Sequence, residues 1–497
     1  MAGEPSRARD DPGSVHARAL RGVLSLGGRE AAGKLIGLAG GIVLARLLEP
    51  GAFGLFAMAT VAVGLLAFVN DVGLATSLIR QPGEVTRREL DAFYTFQLAL
   101  VAASAIVLFL AAPAVASWYR VPELAWPVRA LTGLLVLRSL RAVPVVLAER
   151  RLYYAPVALA ELAGQSAYWI TAVAAAWAGL AVWSLVLATT ALAAVDLVVL
   201  WRQTGWAPRL ALDWRPLRRH ARFGVLYKGH TAAAFAKDAL YPTLGGVAFG
   251  STAVGYLTWA QQIAAVPLSL SNTISRVSYP ALSQLQHDRE AFGLMAATSL
   301  RWACRFTFPL LAVLVGLAPA IIDLVYGPRW LPALPALYVL AAEAVLAVGT
   351  GLLRTVVYSR DGAAPIFKIS LAGMLVTWIA GAAAVAAGMG FAALAAASAA
   401  GTALALLSTA CAARDHLRGV GVLRAIARPA VCAAAVAIAL HLIGAELVRG
   451  IGSLAALAVA GAAAGLAANL WEERSGAREA LRGLLARPRP SAEGESP

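Results

Sequence analysis

The chain has 497 residues, of which 60% are hydrophobic and 14% charged, and its mean hydropathy is +0.71. Soluble domains are about 45–50% apolar and about 25% charged, so a soluble fold, a disordered chain and a disulfide-rich secreted scaffold are excluded and the bulk of the chain belongs in lipid. The 42 Lys and Arg against 27 Asp and Glu give a net charge of +15, which in a membrane protein reflects basic cytoplasmic loops rather than nucleic-acid binding.

A span needs about 20 mainly apolar residues. Fourteen segments qualify, at 24–48, 53–79, 93–118, 127–149, 155–177, 179–201, 222–249, 254–280, 295–323, 332–358, 364–388, 390–413, 424–444 and 451–471. Their length requires helices, since barrel strands need only about 9–11 residues. The expected fold is an all-α polytopic membrane protein of about 14 transmembrane helices. With the N-terminus inside, one set of loops carries Arg80, Arg87, Arg88, Arg150, Arg151, Arg202, Arg209, Arg215, Arg218, Arg219, Arg289, Arg360, Lys368, Arg414 and Arg418; the other set carries Arg46, Arg120, Arg329 and Arg449. This alternation predicts cytoplasmic termini. The first 21 residues lack an apolar run, so no cleavable signal is expected. In the tail, Leu481, Leu484 and Leu485 with Arg478 and Arg482 suit either a short helix on anionic membrane lipid or a frayed end.

An internal repeat organises the spans. LEPGAFGLFAMAT near residue 50 and FGSTAVGYLTWAQ two hundred residues later align under a shift of 201, which places Gly54 on Gly255 and Leu55–Phe56 on Tyr256–Leu257. The predicted organisation is a cytosolic tail at 1–23, a six-helix half at 24–201, a basic cytoplasmic linker at 202–221, a second six-helix half at 222–413, two further spans within 424–471, and a cytosolic tail at 472–497. Duplicated halves with a site between them are the usual plan of secondary transporters.

Ionisable groups at mid-bilayer cost at least a few kcal/mol and normally face a partner or a wet cavity. The first span holds Arg29, Glu30 and Lys34; the seventh holds Lys228, His230, Lys237 and Asp238. At about 1.5 Å per residue, Lys34 lies about 15 Å from the cytoplasmic edge and Lys237 at least as deep. In one reading Glu30 pairs with Lys34 along the helix and Lys237 finds Asp238 or a carbonyl. In the other, the leading helices line a central cavity whose cations hold an anionic substrate, and its positive sign suits phosphate better than a cationic drug. Arg276, Arg354, Arg138 and Arg141 are read either as further cavity cations or as anchors near the cytoplasmic edge. Gln261, Gln262 and Asn272 contact either sugar hydroxyls or neighbouring helices. Glu30, Asp71 and Asp238, with Asn70, Glu161, Asp196 and Glu343, are candidates for ion coupling or satisfied polar groups. Gly33, Gly37 and Gly41 form a small-residue stripe for close helix packing.

No GxxxxGK[ST] loop, metal-spaced His pair or long extracytoplasmic loop is present in the sequence, and Cys304, Cys411 and Cys432 sit in apolar stretches. No enzymatic activity, metal or other cofactor is therefore expected. The energy source, H+ or Na+, stays open.

Five stretches carry a family likeness: ARLLEPGAFGLFAMA (45–59), DVGLATSLIRQ (71–81), AVPVVLAERRLYYAPVALAELAG (142–164), ISRVSYPALSQLQHDREAF (274–292) and LAPAIIDLVYGPRWLPALPAL (317–337). In order and spacing they resemble the polysaccharide-transporter branch of the multidrug/oligosaccharidyl-lipid/polysaccharide (MOP) superfamily, of the colanic-acid and lipopolysaccharide O-unit exporter type, over about residues 25–420. The resemblance implies a flippase that carries undecaprenyl-diphosphate-linked oligosaccharide across the bacterial inner membrane by alternating access, with two halves rocking about a hydrophilic cavity. It also implies polysaccharide polymerase and glycosyltransferases as working partners. Leu47 to Gly54 would shape the first outer turn, and Arg276 is the charged residue inside a matching motif; Lys34, Lys228 and Lys237 come from the depth of their charges alone. Three alternatives stand beside this one: a cation-coupled multidrug antiporter of the same superfamily, a lipid II flippase, and a membrane-embedded polymerase or ligase.

Overall fold

In a computed structural model, the structure describes residues 33, 36–70, 78, 85–150, 153, 155–206, 209–211, 224–417 and 422–471. Among these residues there is no strand. The helices are α1 (Ile36–Leu47), α2 (Pro50–Asn70), α3 (Arg87–Tyr119), α4 (Ala125–Leu140), α5 (Ala142–Arg150), α6 (Ala155–Trp177), α7 (Val182–Thr204), α8 (Gly224–Asp238), α9 (Gly246–Gln284), α10 (Arg289–Gly316), α11 (Leu334–Asp361), α12 (Ala363–Ala386), α13 (Ala392–Ala413), α14 (Val422–Leu447) and α15 (Ile451–Trp471). Among the described residues, ten helical stretches are long and apolar enough to cross a membrane. Lipid offers backbone amides no hydrogen-bond partner, so a chain of this composition folds into helices that satisfy them internally.

The segments meet at the places their chemistry demands. Asp288 caps α10, its side chain accepting from the amides of Glu290 and Ala291 at 3.1 and 3.0 Å. The predicted fourth span is continuous in membrane length but divides into α4 and α5 at Arg141. The seventh predicted span also breaks: α8 stops at Asp238, a wide π turn runs over Tyr241–Gly245, and α9 follows. Within α9, Gly250 adopts φ 80 and ψ 179, where the chain turns before continuing. Gly250 is 201 residues after Glu49, one of the two non-helical residues between α1 and α2, so the repeat register reproduces the position of a turn.

The chain forms two compact units. One comprises residues 1–49, 62–117 and 121–221; the other comprises 50–61, 118–120 and 222–497. In the first, α6 packs along α7, where a Cβ on Gly164 would stand only 2.9 Å from Leu192 O. A core of Leu78, Leu90, Phe93, Tyr94, Val143, Val146 and Trp206 closes one end. The close approach on α1 is at Gly40, against the Trp169 ring; among the described residues a Cβ on Gly33 or Gly41 of the predicted stripe would meet no neighbour, and one on Gly37 would lie 3.8 Å from Trp169. The large indole needs a Cβ-free site and takes the one that faces α6.

In the second unit, the start of α2 crosses α9 at two glycines. A Cβ on Gly54 would overlap the carbonyl of Ser251, and one on Gly255 would overlap the carbonyl of Pro50. These are the repeat-equivalent positions under the shift of 201, so the contact maps onto itself when the halves are exchanged. Helix α11 packs on α9 and on α13, α12 packs on α8 and α13, and α14 and α15 close on α10 around Leu317, Leu440 and Leu454.

Candidate functional site

Within the second unit, α8, α9 and α11 enclose a cavity of about 360 Å³ lined by His230, Asn272, Ser275, Arg276, Tyr279, Arg354, Thr355 and Tyr358, with Gly351 and Ile366. Asn272 and Arg276 are one turn apart on α9, and Arg354 and Tyr358 one turn apart on α11, so each helix presents two polar side chains to the same space. Arg354 Nη1 lies 3.3 Å from His230 Nε2, and His230 Nδ1 lies 2.6 Å from Ser370 Oγ. A guanidinium only donates, so Nε2 accepts, and the imidazole is neutral with its proton on Nδ1, given to Ser370. The Ser275 hydroxyl is buried without a hydrogen-bond partner among the described residues. Among the described residues, no carboxylate lines the cavity. It therefore offers two guanidinium groups, hydroxyls and an amide, which is a donor set for an anion.

A second polar cluster sits farther along the same two helices. Lys237, seven residues beyond His230 on α8, donates to Glu343 Oε1 at 2.7 Å and to Ser398 Oγ at 2.8 Å. Ser398 and Thr402 of α13 donate to the same carboxylate oxygen at 2.9 and 2.6 Å. Beside it, Gln261 of α9 donates to Asp238 Oδ1 at 3.2 Å. The first unit holds its own pair, Arg141 Nε 3.0 Å from Asp196 Oδ2, with Glu161 at 4.0 Å; Arg138 is exposed one turn before.

Of the cations expected to line a cavity, Arg276 does so. Lys237 does not stand as a bare charge: Glu343 of α11 neutralises it, 106 residues away in sequence. Arg29, Glu30, Lys34 and Asp71 lie outside the described residues, as does the side chain of Lys228 on α8. Asn272 lines the cavity, Gln261 holds Asp238 instead, and Gln262 is exposed. Arg354, read from sequence as a cavity cation or an anchor, lines the cavity, and His230 and Thr355 join it. The available signal was the spacing of Arg354 and Tyr358 by four residues on one helix face.

A family profile described as polysaccharide biosynthesis protein matches residues 43–335. The succinoglycan biosynthesis transport protein ExoT of Rhizobium meliloti (strain 1021) is 27% identical over 300 residues, covering 60% of this chain and 60% of its own length. The lipopolysaccharide biosynthesis protein WzxC of Escherichia coli (strain K12) is 24% identical over 329 residues, covering 65% of this chain and 64% of its own. The teichuronic acid biosynthesis protein TuaB of Bacillus subtilis (strain 168) is 23% identical over 283 residues, covering 56% and 58%. The chain thus spans about three fifths of the length of these curated relatives. Among solved structures, the lipid II flippase MurJ in an inward closed conformation superposes with a TM-score of 0.70 at 12% identity, over 91% of this chain and 99% of that one. An inward-facing multidrug resistance MATE family transporter of the MOP superfamily superposes with a TM-score of 0.59 at 15% identity, over 78% and 96%. The fold is the all-α MOP fold.

Proposed function

The chain belongs to the polysaccharide biosynthesis protein family, and from that premise we propose that it is a flippase for an undecaprenyl-diphosphate-linked oligosaccharide. On this reading it is a transporter rather than an enzyme. It sits in the bacterial inner membrane with both termini cytoplasmic, and carries a lipopolysaccharide or exopolysaccharide repeat unit between leaflets by alternating access. Glycosyltransferases that build the unit act before it and a polymerase after it.

The observation that carries the reading is the carboxylate-free cavity with Arg276 and Arg354. A diphosphate and several sugars cannot cross hydrocarbon unaided, because each polar group stripped of water without a new partner costs about 2–7 kcal/mol. Guanidinium forks replace water at phosphate oxygens bidentately. The hydroxyls of Ser275 and Thr355 and the amide of Asn272 suit sugar and phosphate oxygens alike. A cationic drug would meet two like charges there, which argues against a multidrug antiporter. With cytoplasmic termini, Arg354 lies seven residues, about 10 Å, from the cytoplasmic end of α11, the side on which the substrate is made.

The test is substitution of Arg276 and Arg354 by Ala, read as leaflet exchange of undecaprenyl diphosphate in vesicles. Loss of one charge-assisted hydrogen bond is worth about 1.5–3 kcal/mol, so each variant is expected to bind roughly tenfold to a hundredfold more weakly. Unchanged exchange by a well-expressed double variant contradicts the assignment.

A further inference from the structure

We propose that Tyr279 and Tyr358 form a sugar-binding lip on the anion cavity, where the sugar linked to the diphosphate is read. The inference rests on the flippase reading and deepens it by naming the residues that set sugar preference. The two rings are neighbours with centroids 5.8 Å apart and planes at 68°, and both line the cavity. Tyr279 comes from α9 and Tyr358 from α11, so their meeting depends on the packing of those two helices. Rings set at such an angle form a corner rather than a flat wall.

The position of the corner follows from the order of residues along the helices. One membrane-length helix, α10, separates α9 from α11, so the two run in the same direction, toward the cytoplasm under the proposed topology. On α9 the polar series is Asn272, Arg276 and Tyr279; on α11 it is Arg354 and Tyr358. Steps of three and four residues are about one turn, so each arginine lies roughly 5 Å deeper than its tyrosine. Tyr279 is five residues, about 8 Å, from the end of α9, and Tyr358 three residues, about 5 Å, from the end of α11. The cavity is thus layered, with phenols at the cytoplasmic mouth, guanidinium groups next and an amide deepest. A lipid-linked sugar in the cytoplasmic leaflet is layered the same way. Its prenyl tail points to the midplane, the diphosphate follows, and the sugar lies nearest the cytoplasm. With the diphosphate on Arg276 and Arg354, the sugar attached to it falls at Tyr279 and Tyr358.

The chemistry of the corner suits a pyranose. An aromatic ring carries negative charge on its face, and the C–H bonds on one side of a sugar ring present weakly positive hydrogens to it. A phenol hydroxyl both donates to and accepts from sugar hydroxyls. A tyrosine that serves only as an interfacial anchor sits at the headgroup level of the membrane; here two rings from different helices line one cavity instead. Tyr279 keeps 40% exposure, so its surface is open to a ligand, while Tyr358 packs against the core that includes Leu282, Phe292 and Ile366 and is held in place by it. The cavity volume of about 360 Å³ stands at the lower end of ligand pockets, which run from about 300 to 1,000 Å³. That size suits a diphosphate with one sugar and leaves the rest of a longer glycan on the cytoplasmic side.

Binding of four probes by the full chain in detergent decides it: undecaprenyl diphosphate alone, and the same lipid bearing glucose, galactose or N-acetylglucosamine. The wild type is expected to bind at least one glycosylated lipid roughly twofold to tenfold more tightly than the bare lipid, the range that one good aromatic contact supplies. Tyr279→Ala is expected to bring that ratio to one, Tyr279→Phe to keep most of it, and Arg276→Ala to weaken all four probes together. A wild type that binds bare and glycosylated lipids equally overturns the lip while leaving the flippase reading in place, and so does a Tyr279→Ala protein that keeps the ratio. A wild type that binds none of the four rejects the flippase reading and the lip with it. Should Tyr279→Ala fail to fold, Tyr279→Leu, which keeps apolar bulk without a ring, is expected to lose the ratio in the same way, and a ratio that survives in it overturns the lip.

Discussion

At the scale of single residues, Lys237 and Arg354 differ in how their charges are met, and on the proposed function that difference separates a structural tie from a substrate contact. The Lys237 ammonium has a carboxylate and a hydroxyl within 2.8 Å, whereas Arg354 has a neutral imidazole at 3.3 Å. Removing one partner of a buried pair strands the other, at a cost of about 3–5 kcal/mol. Lys237→Met is therefore expected to lower thermal stability in detergent strongly, and Lys237→Met with Glu343→Leu to recover most of the loss. Arg354→Ala, which strands no opposite charge, is expected to lower stability far less than Lys237→Met while weakening anion binding; thermal unfolding and binding of undecaprenyl diphosphate measure the two effects separately. The depth of Lys237 was legible from its place in an apolar span. Its partner was not, because Glu343 lies 106 residues away and Asp196 and Glu161 offered carboxylates of the same kind. Arg354 was ambiguous in sequence for the opposite reason: near a helix end, an anchor and a ligand have the same local pattern, and only the packing of α9 on α11 brings it to Arg276.

At the scale of elements, the repeat register explains more than composition does. Its shift of 201 places Gly54 on Gly255, and the structure sets those glycines against Ser251 and Pro50, which are themselves 201 apart. Backbone carbonyls cannot yield as a side chain can, so Gly54→Ala or Gly255→Ala must push the helices apart, with a typical overpacking penalty of about 1–3 kcal/mol. Both are expected to reduce the yield of folded protein and its thermal midpoint, while Gly41→Ala, whose Cβ meets nothing within 4 Å among the described residues, leaves them unchanged. Equal effects at all three would contradict the crossing. The glycine stripe on α1 shows the limit of spacing alone. A period of four marks a face of small residues, but the position of Trp169 on α6 selects Gly40, and nothing in α1 itself encodes that. The division at Asp238 was likewise hidden, because the π turn and Gly250 interrupt a stretch whose hydropathy runs on.

At the scale of the whole molecule, hydropathy and the alternation of Arg and Lys suffice for a multi-pass helical protein, since lipid leaves the backbone few alternatives. The family adds polysaccharide biosynthesis, and on the proposed reading the two guanidinium groups of the cavity select an anionic cargo. Chemical class reaches no further than diphosphate and sugar, because hydroxyl and amide donors bind many glycans alike. The most direct measurement is leaflet exchange of a fluorescent undecaprenyl-diphosphate-linked oligosaccharide in vesicles holding the purified protein. Exchange well above that of protein-free vesicles, and lost on Arg276→Ala with Arg354→Ala, is the expected result. Exchange at the protein-free rate, or undiminished exchange by the folded double variant, would contradict it.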